Sequence, residues 1–411
     1  MIILSHPTGN TFSAAVAEAL YEKELLTAFY TCVVWRPESA LAKLLPSSLR
    51  RILERRSRVQ LPPELSHTRP FREVVRSILV RAGKKHLIAA ESNPFSIDGV
   101  YRDLDAYIAR SLGKYPNVRA VYAYEDGALH QFREARKRGI RCLYDLPIGY
   151  WRANKELSAE EAELQPEWKG TLGSLADSPE KCARKDEEIS LADTILVASS
   201  FTSSTLDRYP GDKKKIVVIP YGNPSPALTS REATDKTKPL RVLFVGSLTQ
   251  RKGISYLFDA VGKLGRAATL TIIGGKSGSS EARDKACETY RWIPSLPHGE
   301  ILAEMRRHDV FVFPSLFEGF GLVIGEALSQ GLPVITTPHT GGPDILREGV
   351  DSFIVPIRAP DAIAERLLRL HSDRELLLQM SNAALEQAAT LHWQGYKDRT
   401  VAAVRESLGI S

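Results

Sequence analysis

Two glutamates in the second half of the chain have a spacing suited to sugar binding. Glu318 and Glu326 are separated by seven residues in LFEGFGLVIGEALSQG, with Gly319 and Gly321 just after the first of them. A carboxylate accepts hydrogen bonds from two vicinal hydroxyls, so glutamates suit a sugar or a ribose better than they suit phosphate. Considered singly, Glu318 also fits a helix-entry acid, and Glu326 fits an exposed helix residue. The two glutamates and the glycines together favour sugar binding over these separate structural interpretations.

The same stretch predicts the elements that would position these side chains. An apolar strand ending near Phe313 leads into a glycine loop and then a helix, so free backbone N–H groups and the helix dipole face an anionic ligand. Glycine lets the backbone approach closely, and Glu326, about two turns along, can point back towards polyol hydroxyls. One glutamate at each end of a nucleotide-sugar is a coherent arrangement of these groups.

Apolar runs alternate with amphipathic segments over the whole length of 411 residues. That order predicts parallel sheets with helices on both faces, and the length favours two domains. We therefore predict an α/β fold of two Rossmann-like, doubly wound domains, with the second cycle beginning near Lys238. The predicted strands of the first half are 2–4, 86–90, 120–124, 141–144, 194–198 and 216–219, and its helices include 13–26, 101–112 and 129–138.

The string PSLFEGFGLVIGEALSQGLPVI, followed by TGGPDILREG, resembles the donor-binding signature of the family-4 retaining glycosyltransferases of the GT-B fold (glycosyl transferases group 1). Two glutamates at this spacing are typical of that family, whose two domains face a central cleft. The resemblance implies that Glu318 contacts the transferred sugar and that Glu326 binds the ribose. It also implies that sugar and phosphate oxygens are held by the backbone amides of Gly319, Phe320, Gly321, Leu322 and Val323.

A second stretch, VGSLTQRKGISYLFDAV, is similar to the family's strand, loop and helix that carry the diphosphate-binding base. This places Lys252 and Arg251 on the donor diphosphate, beside Gly246 and Ser247. The family commonly has an arginine where this chain has Ser247, so we expect Arg251 to supply the guanidinium. Two cations can neutralise the charge on the leaving diphosphate, which is the task of a metal in other transferases. A solvated basic pair on a loop is the alternative.

The first domain offers two weaker candidates. Gly9 and Asn10 in HPTGN follow the first strand, and in the family that loop lies near the acceptor and the donor phosphates; an ordinary tight turn is the alternative. The family often has a histidine at the end of a first-domain strand, contacting the transferred sugar. Here the strand end RCLYDLPIG carries Asp145 instead, which is our candidate for a catalytic sugar or acceptor contact. Asp145 also fits a residue that caps the turn before Pro147.

The order of the predicted strands and helices also indicates the domain boundaries. We predict an acceptor-binding domain at 1–222, a nucleotide-sugar-binding domain at 223–390, and a helix at 391–411 that crosses back to the first domain. The polar stretch between Tyr221 and Lys238, rich in Pro, Ser and Thr, predicts the linker. Nucleobase contacts are expected around the loop from Tyr290 to Leu296.

The resemblance implies sugar transfer from a nucleotide-diphosphate-sugar to a hydroxyl acceptor, a glycan or lipid-linked glycan, with retention at the anomeric carbon. The alternatives are a GT-B-type epimerase or phosphorylase, or a protein that binds nucleotide-sugars without turnover. We expect no cofactor and no metal. Asp103 and Asp105 form an Asp-x-Asp pair, but in a helical pattern residues two apart point to different sides.

Charge is unevenly distributed along the chain, whose formal net charge is +6. From Lys43 to Lys85, twelve Lys/Arg stand against three acids, which suits an anionic membrane surface or a phosphorylated acceptor; solvated helix faces are the alternative. No recognition motif supports nucleic acid. Because no signal peptide pattern begins the chain and its four cysteines lie far apart, we expect a cytoplasmic protein, peripheral at the inner face of a membrane if this segment binds lipid.

Overall fold

A computed structural model describes residues 1–34, 59–228 and 235–410. It contains two parallel sheets with helices on their faces, so the predicted doubly wound architecture is confirmed. We call the seven-stranded sheet and its helices the first domain, and the six-stranded sheet and its helices the second domain.

The first sheet has the order β3-β2-β1-β4-β5-β6-β7, and its strands are parallel throughout. Chain order therefore reverses direction between β1 and β4, which opens a crevice at the carboxyl ends of those strands. The strands β1 to β7 are Ile2–Ser5, Leu26–Thr31, Ser66–Thr68, Ala120–Tyr124, Arg141–Leu146, Thr194–Val197 and Lys215–Val218.

The second sheet has the order β10-β9-β8-β11-β12-β13, which reverses between β8 and β11 in the same way. Its pairs are also parallel, and most residues of its central strands are buried, as expected for a sheet covered on both faces. The strands β8 to β13 are Leu240–Val245, Ala268–Ile273, Arg291–Ile293, Val310–Phe313, Val334–Thr336 and Ser352–Ile354.

Helices connect successive strands in both domains. The helices α1 to α7 of the first domain are Thr11–Glu22, Phe71–Arg81, Ile97–Ser111, Leu129–Lys137, Trp151–Leu164, Pro179–Leu191 and Ser200–Thr205. The helices α8 to α14 of the second are Ile254–Leu264, Glu281–Thr289, His298–Arg307, Leu322–Ser329, Gly342–Ile345, Pro360–Ser372 and Arg374–Thr390.

The last helix, α15 (Trp393–Leu408), packs on the first domain although it follows the second in sequence. The Lys397 ammonium lies 2.9 Å from a carboxylate oxygen of Glu18 in α1, and Arg119 donates a hydrogen bond to the Leu408 carbonyl at 2.7 Å. A chain that returns to the first domain adds a second covalent connection between the two halves.

Two sequence predictions of local structure were wrong. The helix predicted at 13–26 ends at Glu22, and β2 begins at Leu26; Glu24 makes the turn between them with a φ of 55°. Sequence reasoning missed this turn because a left-handed residue is usually glycine or asparagine. The strand predicted at 86–90 is a short 3-10 helix, Lys85–Ile88, and Leu87 is 49% exposed. A short apolar run does not by itself distinguish a strand from a helical turn.

Half of the basic stretch singled out in the sequence lies outside the described residues. The cations concerned are Lys43, Arg50, Arg51, Arg55, Arg56 and Arg58. Within the ranges that the structure covers, no helix is both long and apolar enough to cross a bilayer.

Candidate active site

Apart from Gly319, the second-domain site residues predicted from the sequence line one cavity of about 450 Å³ between the two domains. It lies at the carboxyl ends of β8 and β11, at the point where strand order reverses in the second sheet. The side chains and backbone that line it are those of Phe12, Pro147, Tyr221, Val245, Gly246, Ser247, Arg251, Lys252, Phe313, Glu318, Phe320, Gly321, Leu322, Val323 and Glu326.

Two glycines shape the backbone of this cavity. Gly246 ends β8 with a φ of 154°, and Gly321 has a φ of 85° immediately before α11 begins at Leu322. Both values lie in a region that side chains disfavour, so glycine is required for these turns. The first N–H groups of α11 are directed to the cavity with the positive end of the helix dipole, which suits an anion.

A charged triad occupies the floor of the cavity. The Lys252 ammonium contacts the Glu318 carboxylate directly, and Arg251 Nη1 lies 3.5 Å from the same carboxylate oxygen. Arg251 also donates to the Phe317 carbonyl at 2.6 Å, while its own carbonyl accepts from the Leu316 amide at 2.9 Å. The basic pair and the loop before Glu318 are therefore held together as one unit.

Of the two cations of the triad, Lys252 is buried and Arg251 is one-quarter exposed. Burial lowers the pKa of the Arg251 guanidinium to about 10, and burial together with neighbouring Arg251 lowers the pKa of the Lys252 ammonium well below its usual range. Two neighbouring cations favour an anionic ligand, because an anion beside Lys252 favours the charged form of its amine.

We therefore predict that affinity for a diphosphate ligand falls as the pH rises. Lys252 has a lowered pKa in the free protein and a higher pKa beside a diphosphate, so affinity is greatest below the free-state pKa and is lost as the pH rises through the bound-state pKa. Calorimetric titration with a nucleoside diphosphate over a pH series, in buffers of different ionisation enthalpy, measures the proton uptake. Affinity independent of pH would contradict this assignment.

Glu326, in α11, also lines the cavity. Its Oε1 is 3.0 Å from His298 Nε2 at the start of α10, and its side chain is one-fifth exposed. A carboxylate held from one side by an imidazole still has free lone pairs for hydroxyl groups of a ligand.

Replacing Glu326 with alanine should weaken donor affinity by about 10- to 100-fold. Hydrogen bonds to a charged group contribute about 1.5–3 kcal/mol, and about 1.4 kcal/mol corresponds to a factor of ten. Isothermal titration with a nucleotide-sugar measures the change. Glu300→Ala, an exposed acid in α10, is the matched control, and an equal effect of both variants would exclude a specific role for Glu326.

Gly319 does not line the cavity. It packs directly against the backbone of the first domain. The Gly319 carbonyl accepts hydrogen bonds from the hydroxyls of Ser199 and Thr202, the latter at 2.9 Å. A Cβ atom at this position would overlap the Pro147 carbonyl oxygen of the first domain and lie 2.9 Å from the Ile148 Cα. Glycine is needed here for backbone-to-backbone approach.

Asp145 is not among the described residues that line the cavity. Its carboxylate is 4% exposed at the end of β5 and accepts a hydrogen bond from the Tyr122 hydroxyl at 2.7 Å. Burial raises its pKa to about 7, and the Tyr122 hydrogen bond opposes that rise. Sequence position alone did not show that tyrosines enclose this strand end, and a direct contact of Asp145 with sugar or acceptor remains a prediction.

We predict that Asp145→Asn increases stability at alkaline pH. A native pKa near 7 lies above the unfolded value of about 4, so ionisation destabilises the fold progressively as the pH rises between the two. The melting temperature of the variant should match the wild type near pH 4 and exceed it near pH 8. If transfer activity also survives, Asp145 is a structural residue.

Gly9 and Asn10 organise the first loop of the chain. The Asn10 side chain caps α1 by accepting from the Ser13 amide at 2.8 Å, and the Gly9 amide donates to His6 Nδ1 at 2.9 Å. Neither lines the cavity described above, and their contact with an acceptor remains a prediction. His6 is buried, and burial lowers its pKa to about 4, so the ring is neutral in this loop.

Sequence reasoning missed an aromatic wall contributed by the first domain. Phe12 stacks on Tyr221 with ring centroids 4.8 Å apart, and Tyr221 meets Phe320 of the second domain edge-on at 5.2 Å. Phe12 lies two residues after the HPTGN loop and Tyr221 stands at the start of the predicted linker, so no local pattern marked either residue as part of a site. Pro147 completes this wall.

A buried carboxylate of the first domain accepts hydrogen bonds from residues of the second domain, one of them directly before Arg251 and Lys252. Glu161, in α5, is 0% exposed and accepts from Gln250 Nε2 at 2.7 Å, the Tyr256 hydroxyl at 2.8 Å and Arg358 Nε at 2.7 Å. All three donors belong to the second domain. Gln250 directly precedes Arg251, so we call these four residues the Glu161 clamp.

The two aspartates of the Asp-x-Asp pair have separate structural partners. Asp103 pairs with Arg69 Nε at 2.7 Å, whereas Asp105 accepts from the backbone amides of His130 and Gln131 at the start of α4. They lie on different sides of α3, as the helical spacing predicted.

Comparison with known protein families gives a match to the second domain. Residues 228–387 match the family model described as "Glycosyl transferases group 1". The second domain is a group 1 glycosyl transferase domain. Its match includes the triad, the glycine loop and Glu326, so every second-domain residue that lines the cavity lies within the matched range.

Curated proteins are similar in sequence to about half of this chain. D-inositol 3-phosphate glycosyltransferase of Corynebacterium glutamicum (strain R) is 30% identical over 53% of this chain and 59% of that protein. Sucrose synthase of Acidithiobacillus caldus is 32% identical over 42% of this chain and 25% of that protein. The chain thus covers less than two thirds of the length of these relatives.

Solved structures match the fold over the full length. Sucrose-phosphate synthase from Thermosynechococcus elongatus superposes with a TM-score of 0.70 at 15% identity, covering 100% of this chain and 99% of that one. Anabaena HepE in complex with UDP-glucose has a TM-score of 0.60 at 14% identity, covering 98% of this chain and 99% of that one. The two domains together therefore have the GT-B fold.

Proposed function

We propose that the protein transfers a sugar from a nucleoside-diphosphate-sugar to a hydroxyl acceptor, with retention at the anomeric carbon. The observation that carries this proposal is the single cavity in which Lys252, Arg251, Glu318 and Glu326 meet beside the N-terminus of α11. Cations and helix amides suit a diphosphate, and the two carboxylates suit the hydroxyls at its two ends.

In the proposed reaction, the anomeric C–O bond to the diphosphate breaks and a bond from the acceptor oxygen forms on the same face. The acceptor proton passes to an oxygen of the leaving diphosphate. Lys252 and Arg251 stabilise the negative charge that develops there, and Glu318 orients the sugar through its hydroxyls. Since buried cations supply the electrostatic stabilisation, we propose that no metal and no cofactor are needed.

UDP-sugars are the first donors to test, because the Anabaena HepE structures contain UDP and UDP-glucose. We propose a glycan or lipid-linked glycan as the acceptor class, with the acceptor at the ends of β1 and β4, where strand order in the first sheet reverses. Release of nucleoside diphosphate from a panel of donors, with and without candidate acceptors, tests the proposal.

The test separates the proposed transferase from its alternatives. Acceptor-dependent release of nucleoside diphosphate with formation of a glycoside supports transfer, and the anomeric configuration by NMR tests retention. Conversion of the donor sugar without acceptor indicates an epimerase, and activity that needs inorganic phosphate indicates a phosphorylase. Donor binding without turnover, seen as a raised melting temperature alone, indicates a binding protein.

A further inference from the structure

Helix α2 (Phe71–Arg81) exposes apolar side chains on one face and buries a carboxylate on the other. Phe71, Val74 and Ile78 are 69%, 41% and 52% exposed, and their spacing places them on one face of the helix. The opposite face holds Glu73, which is 2% exposed and is paired by Arg76 Nε at 2.7 Å. An ordinary surface helix buries its apolar stripe and exposes its ion pairs, so this exposed stripe calls for a partner.

The charges near this stripe are predominantly positive. Arg81 and Lys84 are exposed at the end of the helix, and Leu87, in the 3-10 helix that follows, is 49% exposed. The acids that face the helix are directed inwards: Glu73 holds Arg76, and the Asp103 carboxylate lies 2.7 Å from Arg69 and 3.4 Å from Arg72. We call Phe71, Val74, Ile78, Arg81, Lys84 and Leu87 the α2 surface.

We propose that the α2 surface docks on the headgroup region of an anionic lipid bilayer. An apolar stripe flanked by cations is the arrangement by which a helix lies in a membrane interface: the apolar side chains enter the acyl boundary and the cations meet lipid phosphates. A protein partner or a second copy of the chain would usually offer acids opposite Arg81 and Lys84. The exposed positive charge without exposed acids on the stripe favours lipid.

The position of the helix is compatible with such docking. Helix α2 begins three residues after β3, the outermost strand of the first sheet, so its first turn lies at the cleft-side rim of the first domain. The cavity that carries Lys252 and Glu318 lies in the second domain's half of the cleft. None of the residues of the α2 surface lines that cavity.

Vesicle binding by the full chain tests the proposal without any measurement of sugar transfer, so it is independent of the proposed function. We expect the protein to co-sediment with vesicles of phosphatidylcholine mixed with phosphatidylglycerol, weakly or not at all with phosphatidylcholine alone, and less as salt rises. The double variant Arg81→Glu/Lys84→Glu should weaken binding to anionic vesicles by about 30-fold or more, from about fivefold per cation.

The apolar part needs its own variant and control. Val74→Glu/Ile78→Glu should abolish co-sedimentation, whereas Leu368→Glu, at a 51% exposed leucine of α13 in the second domain, should leave it unchanged. Unchanged melting temperatures verify that each variant is folded. Equal binding to both vesicle types, retention of binding by the double variants, or a dimer of the wild type that these variants dissociate without any vesicle binding would each overturn the proposal.

Discussion

Replacing Lys252 with alanine should reduce both donor affinity and turnover, with kcat/KM falling by about 100- to 1,000-fold. The Lys252 ammonium is one-tenth exposed, contacts Glu318 and lies 4.7 Å from the centre of the Phe313 ring. No water can replace a buried cation directed at developing negative charge, so the loss falls mainly on the transition state.

The measurement for Lys252 needs two companion variants. Lys252→Arg retains a cation and should recover part of the activity, but not all of it, because a planar guanidinium does not place its charge as a compact ammonium does. Lys263→Ala, at the far end of α8 and half-exposed, should behave as the wild type. If Lys252→Ala binds and turns over donor normally, the cavity is not the donor site.

Gly319→Ala is expected to reduce kcat/KM by about 100-fold, because a displacement of about 1 Å at reacting groups has effects of that size. The added methyl group would overlap the Pro147 carbonyl of the first domain, and backbone atoms cannot rotate away as a side chain can. Either the domains separate or the loop shifts, and Glu318, the preceding residue, moves with it.

A glycine in open surroundings provides the matched control for that variant. A Cβ atom added at Gly262, in α8, would have the Tyr290 hydroxyl as its nearest neighbour, at 3.9 Å. Gly262→Ala should therefore retain activity and gain slightly in stability, because alanine favours a helix more than glycine does. Steady-state kinetics with thermal melting of both variants measures the effects. Wild-type kinetics in Gly319→Ala would show that the contact with Pro147 is not tight in solution.

The second domain could be predicted in more detail than the first. Its strands, glycine loop and charged residues form one continuous pattern from Phe313 to Glu326, and glycines at 246 and 321 mark the turns where the backbone must be left-handed or nearly so. Local signals of this kind directly reflect local structure. The sequence therefore indicated the residues that the structure brings to one cavity.

The first domain was harder because its site residues depend on contacts distant in sequence. Asp145 was a reasonable candidate from its place at a strand end, but only the fold shows that Tyr122 covers it. Phe12 and Tyr221 are 209 positions apart (221 − 12), and no local pattern relates them before the structure stacks their rings. Glu161 had no signal either, since its three donors come from the other domain.

The Glu161 clamp has a consequence for the release of the diphosphate product that we propose. Its carboxylate connects α5 to the residue immediately before the paired cations, so a rotation that separates the two domains would displace the segment that we propose binds the diphosphate. We expect opening and discharge to occur as one cooperative event, with the residence time of the product determined at a junction remote from the sugar.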